Sequence, residues 1–199
     1  TPTVVDSVVM NTRLVNDVMT DKAGTVLVMT REGAADRKNG IVIASLEDPL
    51  HPKVISEFTD GVTAGVHSAF VYTQPRHGTH IYLTNDGTGA VHVIDINDPK
   101  NPREVAQWRT TNRPDAGRYV HDIDVQDGLL YASYWDDGLV ILDEPMYLPA
   151  GCNAGSTCEL GQLPDPGVLD PLATARLADA ARRAAFSLLQ FASPALRDL

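Results

Sequence analysis

The chain is short of positive charge: 16 Lys and Arg stand against 26 Asp and Glu, a formal net charge of −10 over 199 residues. Affinity for nucleic acid comes mostly from Lys and Arg on phosphates, so DNA and RNA are excluded as partners. Charge-driven docking on an anionic membrane surface is excluded for the same reason. Long apolar runs are missing too, and nothing approaches the roughly 18 uninterrupted apolar residues of a bilayer-spanning helix. No basic-then-apolar segment opens the sequence, so the expectation for an exported form is that its signal has already been removed. Cysteine is nearly absent, with two residues in the chain. The motifs of common enzyme classes are also lacking: no Gly-x-Ser-x-Gly elbow, no phosphate loop, no Gly-x-Gly-x-x-Gly after a strand, no His-Glu-x-x-His. What the sequence does have is punctuation, 15 Gly and 13 Pro, within a hydrophobic share of 43% that fits a soluble globular protein.

That punctuation repeats. Asp48-Pro49-Leu50-His51-Pro52 returns 50 residues later as Asp98-Pro99-Lys100-Asn101-Pro102, and Pro2 lies 50 residues before Pro52. Gly40, Gly89 and Gly138 are spaced by 49 and 49, and Val15-Asn16-Asp17-Val18 matches Val66-His67-Ser68-Ala69 and Val120-His121-Asp122-Ile123. Between these markers lie short runs rich in Val, Ile, Tyr and Thr. The first period gives Asn16–Met19, Thr25–Thr30, Ile41–Ser45 and Lys53–Phe58. The second gives His67–Tyr72, His80–Thr84, Ala90–Asp95 and Arg103–Trp108, and the third His121–Val125, Leu129–Tyr134 and Leu139–Asp143. Asp86-Gly87, Asp127-Gly128 and Asp137-Gly138 supply the positive φ of tight hairpins. The fold class is therefore all-β: four antiparallel strands per period of about 50 residues, the pattern of a β-propeller blade.

The third strands Val91-His92-Val93-Ile94-Asp95 and Leu139-Val140-Ile141-Leu142-Asp143, with Asn97-Asp98-Pro99-Lys100-Asn101-Pro102 after the former, resemble the LVIVD-repeat family of bacterial extracytoplasmic β-propellers. The resemblance covers about residues 2–143; Ile41-Val42-Ile43-Ala44-Ser45 departs from it by lacking the terminal Asp. It implies a propeller outside the cytoplasm and says little about activity, because one fold hosts many functions. Pro2–Ser7 aligns with a fourth strand and the third period stops after its third, which makes twelve strands. Three blades fall below the usual four, so the reading is a partial propeller with uncovered blade surface, and uncovered apolar surface or strand edge calls for a partner.

Three segments follow: blades over 1–144, a Pro/Gly-rich irregular arm over 145–170, and a C-terminal α-helix over 171–199. The arm holds Cys152 and Cys158, whose short Gly/Ser loop favours a local disulfide in an oxidising compartment over half of a zinc site. The helix has Asp170 as N-cap and Pro171 at its first position. Leu172, Leu177, Leu188 and Phe191 mark its apolar stripe, a surface for its own domain or a partner.

The leading functional expectation is a non-catalytic structural subunit, periplasmic or extracellular, docked on a larger assembly of other protein subunits. A hetero-complex is favoured and a homo-oligomer is the other form; an extrinsic subunit of a bacterial respiratory or photosynthetic membrane complex is one concrete version. Its interaction residues are Pro2 and Val4 with Leu172, Leu177, Leu188 and Phe191, and it needs no cofactor. One alternative is a metal-dependent enzyme or ligand binder at the channel mouth, with His67, His121 and Asp122 as metal ligands. Another is a propeller completed by exchange of the Pro2–Ser7 strand. A polar residue that recurs in every blade ordinarily bonds a neighbouring blade's backbone, which gives Asn16, His67 and His121 a structural reading as well. His51, His77, His80 and His92 are expected at or near the surface, and Trp108 and Trp135 in blade packing.

Overall fold

The computed structural model of the protein describes residues 1–34, 38–74, 77–110 and 117–143, and every regular element among them is a β-strand. The strands are β1 (Val18–Thr20), β2 (Val26–Arg31), β3 (Gly40–Ser45), β4 (Lys53–Phe58), β5 (Ala69–Gln74), β6 (Gly78–Thr84), β7 (Val91–Asp95), β8 (Arg103–Trp108), β9 (Val120–Gln126), β10 (Leu129–Tyr134) and β11 (Gly138–Asp143). They form three antiparallel sheets, β1-β2-β3-β4, β5-β6-β7-β8 and β9-β10-β11. The expected strands Lys53–Phe58, Arg103–Trp108 and Leu129–Tyr134 form with those bounds, and the others shift by up to two residues at an end. No helix among the described residues is long and apolar enough to cross a membrane.

The period visible in the sequence is also a period of hydrogen bonds. Asp48 Oδ1 accepts from the Leu50 amide at 3.1 Å, and Asp98 Oδ1 accepts from the Lys100 amide at 3.1 Å. Both aspartates thus fix the same turn through their own side chains. The Asn101 amide group, with the Lys100 N–H, holds Asp98 below its usual carboxylate range. A register shift falls at Ile43/Ala44 between β3 and β4 and again at Val93/Ile94 between β7 and β8, 50 residues on. Where the first period lacks the terminal Asp, Ser45 Oγ takes the Glu47 amide at 3.2 Å, as Asp95 Oδ1 takes the Asn97 amide at 2.8 Å. Asp95 also pairs with Arg103 Nη2 at 2.8 Å.

Two apolar seams join the sheets. Val26, Val28, Ile41, Ile43 and Phe58 of the first sheet pack with Val71, Ile81, Leu83 and Ile94 of the second. Tyr82, Val91, Val93 and Ala106 of the second sheet then pack with Val120, Ile123, Val125, Leu130, Ala132 and Tyr134 of the third. Period-2 alternation makes this arrangement: successive residues of a strand face opposite ways, so the middle sheet supplies both seams. The first strands touch in series, β1 to β5 and β5 to β9.

The N-terminus departs from expectation. Pro2–Ser7 forms no strand. Val8 and Met10 instead pack on Leu27, Met29, Val42 and Ala44, the face of the first sheet turned away from the second. Asp6 bonds His51 Nδ1 at 3.1 Å in the β3–β4 turn. The segment's apolar residues find a sheet face close in sequence, so it does not pair as a fourth strand of the third sheet. Pro2 and Val4 are exposed, Val4 at 90%.

Turn chemistry is mostly as read. Asp127 and Gly128 both take positive φ, 52° and 78°, the pair required by a tight β9–β10 hairpin. In the middle period the positive φ sits at Gly89 (65°), and Gly87 is not the residue that takes it. A Cβ at Gly89 would lie 1.9 Å from the Gly117 carbonyl oxygen. The arm with Cys152 and Cys158, and the segment with Leu172, Leu177, Leu188 and Phe191, lie outside the described residues.

Candidate functional site

Three equivalent backbone bonds define one rim of the sheets. The Glu32 amide donates to the Leu14 carbonyl at 3.1 Å, Asp86 to Gly65 at 3.2 Å, and Trp135 to Tyr119 at 3.3 Å. Glu32, Asp86 and Trp135 therefore occupy one position of the repeat, one or two residues after the end of the second strand of each sheet. Two residues beyond the acceptors come Asn16, His67 and His121, the trio aligned from sequence.

The structure brings this trio and its neighbours together. Asn16 Nδ2 donates to Glu32 Oε2 and lies 3.3 Å from His67 Nδ1. His67 Nδ1 is also 3.1 Å from Glu32 Oε2. Partial burial and the adjacent Glu32 carboxylate push the Asp86 carboxyl above its ordinary value, with His67 opposing the shift. Gly65 makes this approach possible, because a Cβ there would lie 2.7 Å from Asp86 Oδ2 and its φ is +142°. From His67 a ladder of rings leads outward: His67 to His121 at 4.7 Å between centroids, His121 to Trp135 at 5.6 Å, Trp135 to Tyr119 at 5.9 Å. Its outer members are open to solvent, Trp135 at 70% and Tyr119 at 54%.

One residue further along the chain from each member of the trio lies a second polar set, Asp17, Ser68 and Asp122. Asp17 Oδ2 accepts from the Ala69 amide at 3.0 Å, across the seam between first and second sheets. Ser68 Oγ is 3.1 Å from Asp17 Oδ2 and 2.7 Å from Asp122 Oδ1, so one hydroxyl proton serves two carboxylates. Asp122 thus belongs to this inter-sheet set, and His67 and His121 belong to the ring ladder. Among the described residues no group of three or more His, Cys, Asp or Glu side chains is placed to hold a metal ion.

Several side chains sit elsewhere than the sequence suggests. His92, expected near solvent, is 1% exposed; its Nδ1 meets Glu104 Oε1 at 2.7 Å and its Nε2 meets Thr88 Oγ1 at 3.1 Å. His80 is buried as well, and burial lowers its pKa against the pull of Asp95. Both lie on inner strands whose two faces are covered, where a paired imidazole fills the place of an apolar residue. Trp108 packs into the second seam as expected, but Trp135 does not pack between sheets. Sequence reasoning passed over Glu32 altogether, although its place just after β2 matches Asp86 and Trp135. It also passed over Arg31, buried at the end of β2: Nη1 pairs with Glu57 Oε2 at 2.9 Å, while Nε and Nη2 have no partner among the described residues. Comparison with known proteins finds no family model and no curated protein that matches the chain.

Proposed function

We propose that this chain is a non-catalytic interaction module, a partial propeller of the LVIVD-repeat type that works outside the cytoplasm and docks on other protein subunits through its third sheet. One observation carries the reading. Leu139 pairs with Ser133 as Ile41 pairs with Thr30 and Val91 with Thr84. Ile41 and Val91 are fully buried against the next sheet, whereas Leu139 is 43% exposed and belongs to neither seam. Ile141 repeats the places of Ile43 and Val93 and likewise joins no seam. The third sheet therefore carries the residues that receive a further sheet, and an apolar face of this kind is what a protein partner covers.

The same face specifies something about the partner. Met19 and Phe70 occupy equivalent places on β1 and β5 and pack into the seams. The third sheet has Asp124 there, raised by burial and by the nearby Asp122. A partner that covers this position supplies a hydrogen-bond donor to the carboxyl, since a buried acid without one is costly. The test is a photo-crosslinking side chain placed at Leu139 of the full chain in its native cell envelope. The expected result is one discrete adduct, abolished when Asp124→Lys is added, with no adduct from the same probe at exposed Val54. A monomer in solution that yields no Leu139 adduct in cells overturns the reading.

A further inference from the structure

We infer that the rim of the molecule receives an arginine side chain of a partner protein, held between the ring ladder and the Glu32–Asp86 carboxyls. The inference rests on the interaction-module reading but concerns a different surface, the rim and not the open sheet face. Four rings, His67, His121, Trp135 and Tyr119, form a continuous ladder with centroid steps of 4.7, 5.6 and 5.9 Å. Its outer end is the most exposed aromatic surface of the described residues, with Trp135 at 70% and Tyr119 at 54%. A seam-forming residue would be buried, as Trp108 partly is. Trp and Tyr presented to solvent on a rigid base are the side chains that dominate protein-interface energy.

The charge around the ladder selects the occupant. Its inner end is closed by Glu32, bonded to His67 and Asn16, with the Asp86 carboxyl beside that of Glu32. Asp136 follows Trp135 directly, and the chain carries a formal net charge of −10. The cation next to Tyr119 in sequence is Arg118. A guanidinium suits both parts of this surface: its flat face stacks on the His121 and Trp135 rings in the middle of the ladder, and its edge offers paired N–H donors to carboxylate oxygens. An ammonium shares the charge but has neither the plane nor the fork. An aliphatic or acidic segment gains nothing from the carboxyls. The backbone keeps the surface in place: Trp135 and Tyr119 are tied by their own amide–carbonyl bond of 3.3 Å.

The test uses the full chain and a blocked Gly-Arg-Gly-Arg-Gly peptide, with its lysine and citrulline counterparts, titrated by calorimetry at low and at physiological salt. A Trp108→Phe background leaves Trp135 as the sole indole, and its emission gives a second readout. Saturable binding of the arginine peptide is expected, with a shift in Trp135 emission. Trp135→Ala, which removes an exposed ring and leaves the seams intact, weakens binding by about tenfold. Asp86→Asn weakens it by about threefold. Asp127→Asn, the same charge change in the β9–β10 turn, leaves it unchanged. Equal binding by the lysine peptide, full binding by Trp135→Ala, or an equal loss in Asp127→Asn overturns the inference. If rim binding fails while the Leu139 adduct persists, the arginine site is wrong and the module stands; loss of both removes the module as well.

Discussion

The second and third sheets are built from the same repeat and meet different fates. Ile81 and Leu83 on β6 are fully buried toward the first sheet, while Tyr82 faces the third, so the second sheet spends both faces on packing. The third sheet spends one: Leu130, Ala132 and Tyr134 point into the seam, and Leu139 with Ile141 stays outside it. An equivalent position in the repeat thus fixes the backbone path and the side-chain direction. Whether the residue there stabilises the fold or offers a surface depends on what lies opposite.

Substitutions on a covered and an open sheet face test this difference. Ile81→Ala leaves a cavity in the first seam and is expected to cost about 4 kcal/mol in denaturant unfolding, against less than about 0.5 kcal/mol for Leu139→Ala. Similar losses from both would show that the third sheet is as covered as the second. Glycines give the next contrast. Gly89 and Gly128 share a positive φ, 65° and 78°, but a Cβ at Gly89 meets the Gly117 carbonyl while one at Gly128 meets open space. Gly89→Ala should cost at least about 3 kcal/mol and Gly128→Ala about 1 kcal/mol.

Arg31, at the end of β2 in the first sheet, sharpens the comparison. It shares its place with Asn85, whose side chain is satisfied by the Gly65 carbonyl at 3.4 Å and by the amides of Gly87 and Thr88. Among the described residues two Arg31 nitrogens are buried unpaired, and the Glu57 carboxylate that meets its Nη1 is half exposed. Arg31→Met should therefore be neutral or stabilise by up to about 2 kcal/mol by thermal unfolding, because it removes a desolvated donor and strands no buried charge. A clear loss would mean that the guanidinium has an acceptor in solution.

The smallest effect is confined to alkaline pH. Burial pushes the Tyr134 phenol up from 10.0 to about 12, in the seam between the second and third sheets. A pKa raised on folding contributes stability that is fully present below pH 10 and lost as pH rises from there through about 12. Tyr134→Phe should flatten that decline in a pH series of unfolding midpoints and change little at neutral pH. An unchanged alkaline slope in the variant would place the titration elsewhere.

Much of the fold was legible because period-2 alternation and Asp/Gly/Pro punctuation are local. Asp48 and Asp98 form their turns with their own side chains, and Asp127-Gly128 makes its hairpin with its own backbone. The N-terminal segment misled because a short apolar run reads as a strand whatever it lies against; Val8 and Met10 found a nearer sheet. His92 misled because a polar residue in an apolar strand reads as solvent-facing until its partners, Glu104 and Thr88, are known. The rim was half legible. Asn16, His67 and His121 showed as repeats, but Glu32 and Trp135 share a position only through backbone bonds that no spacing reveals.

By itself the sequence determined the three-fold repeat, the all-β class, the places of eleven strands to within two residues and the turn aspartates, since each rests on contacts within a few residues along the chain. Tertiary structure alone decided which equivalent residues are buried, that Asp122 joins Asp17 and Ser68 instead of the histidines, and that Trp135 stands on the rim in solvent. Those outcomes depend on residues 50 or more positions away, and their distances are set by how one sheet packs on the next.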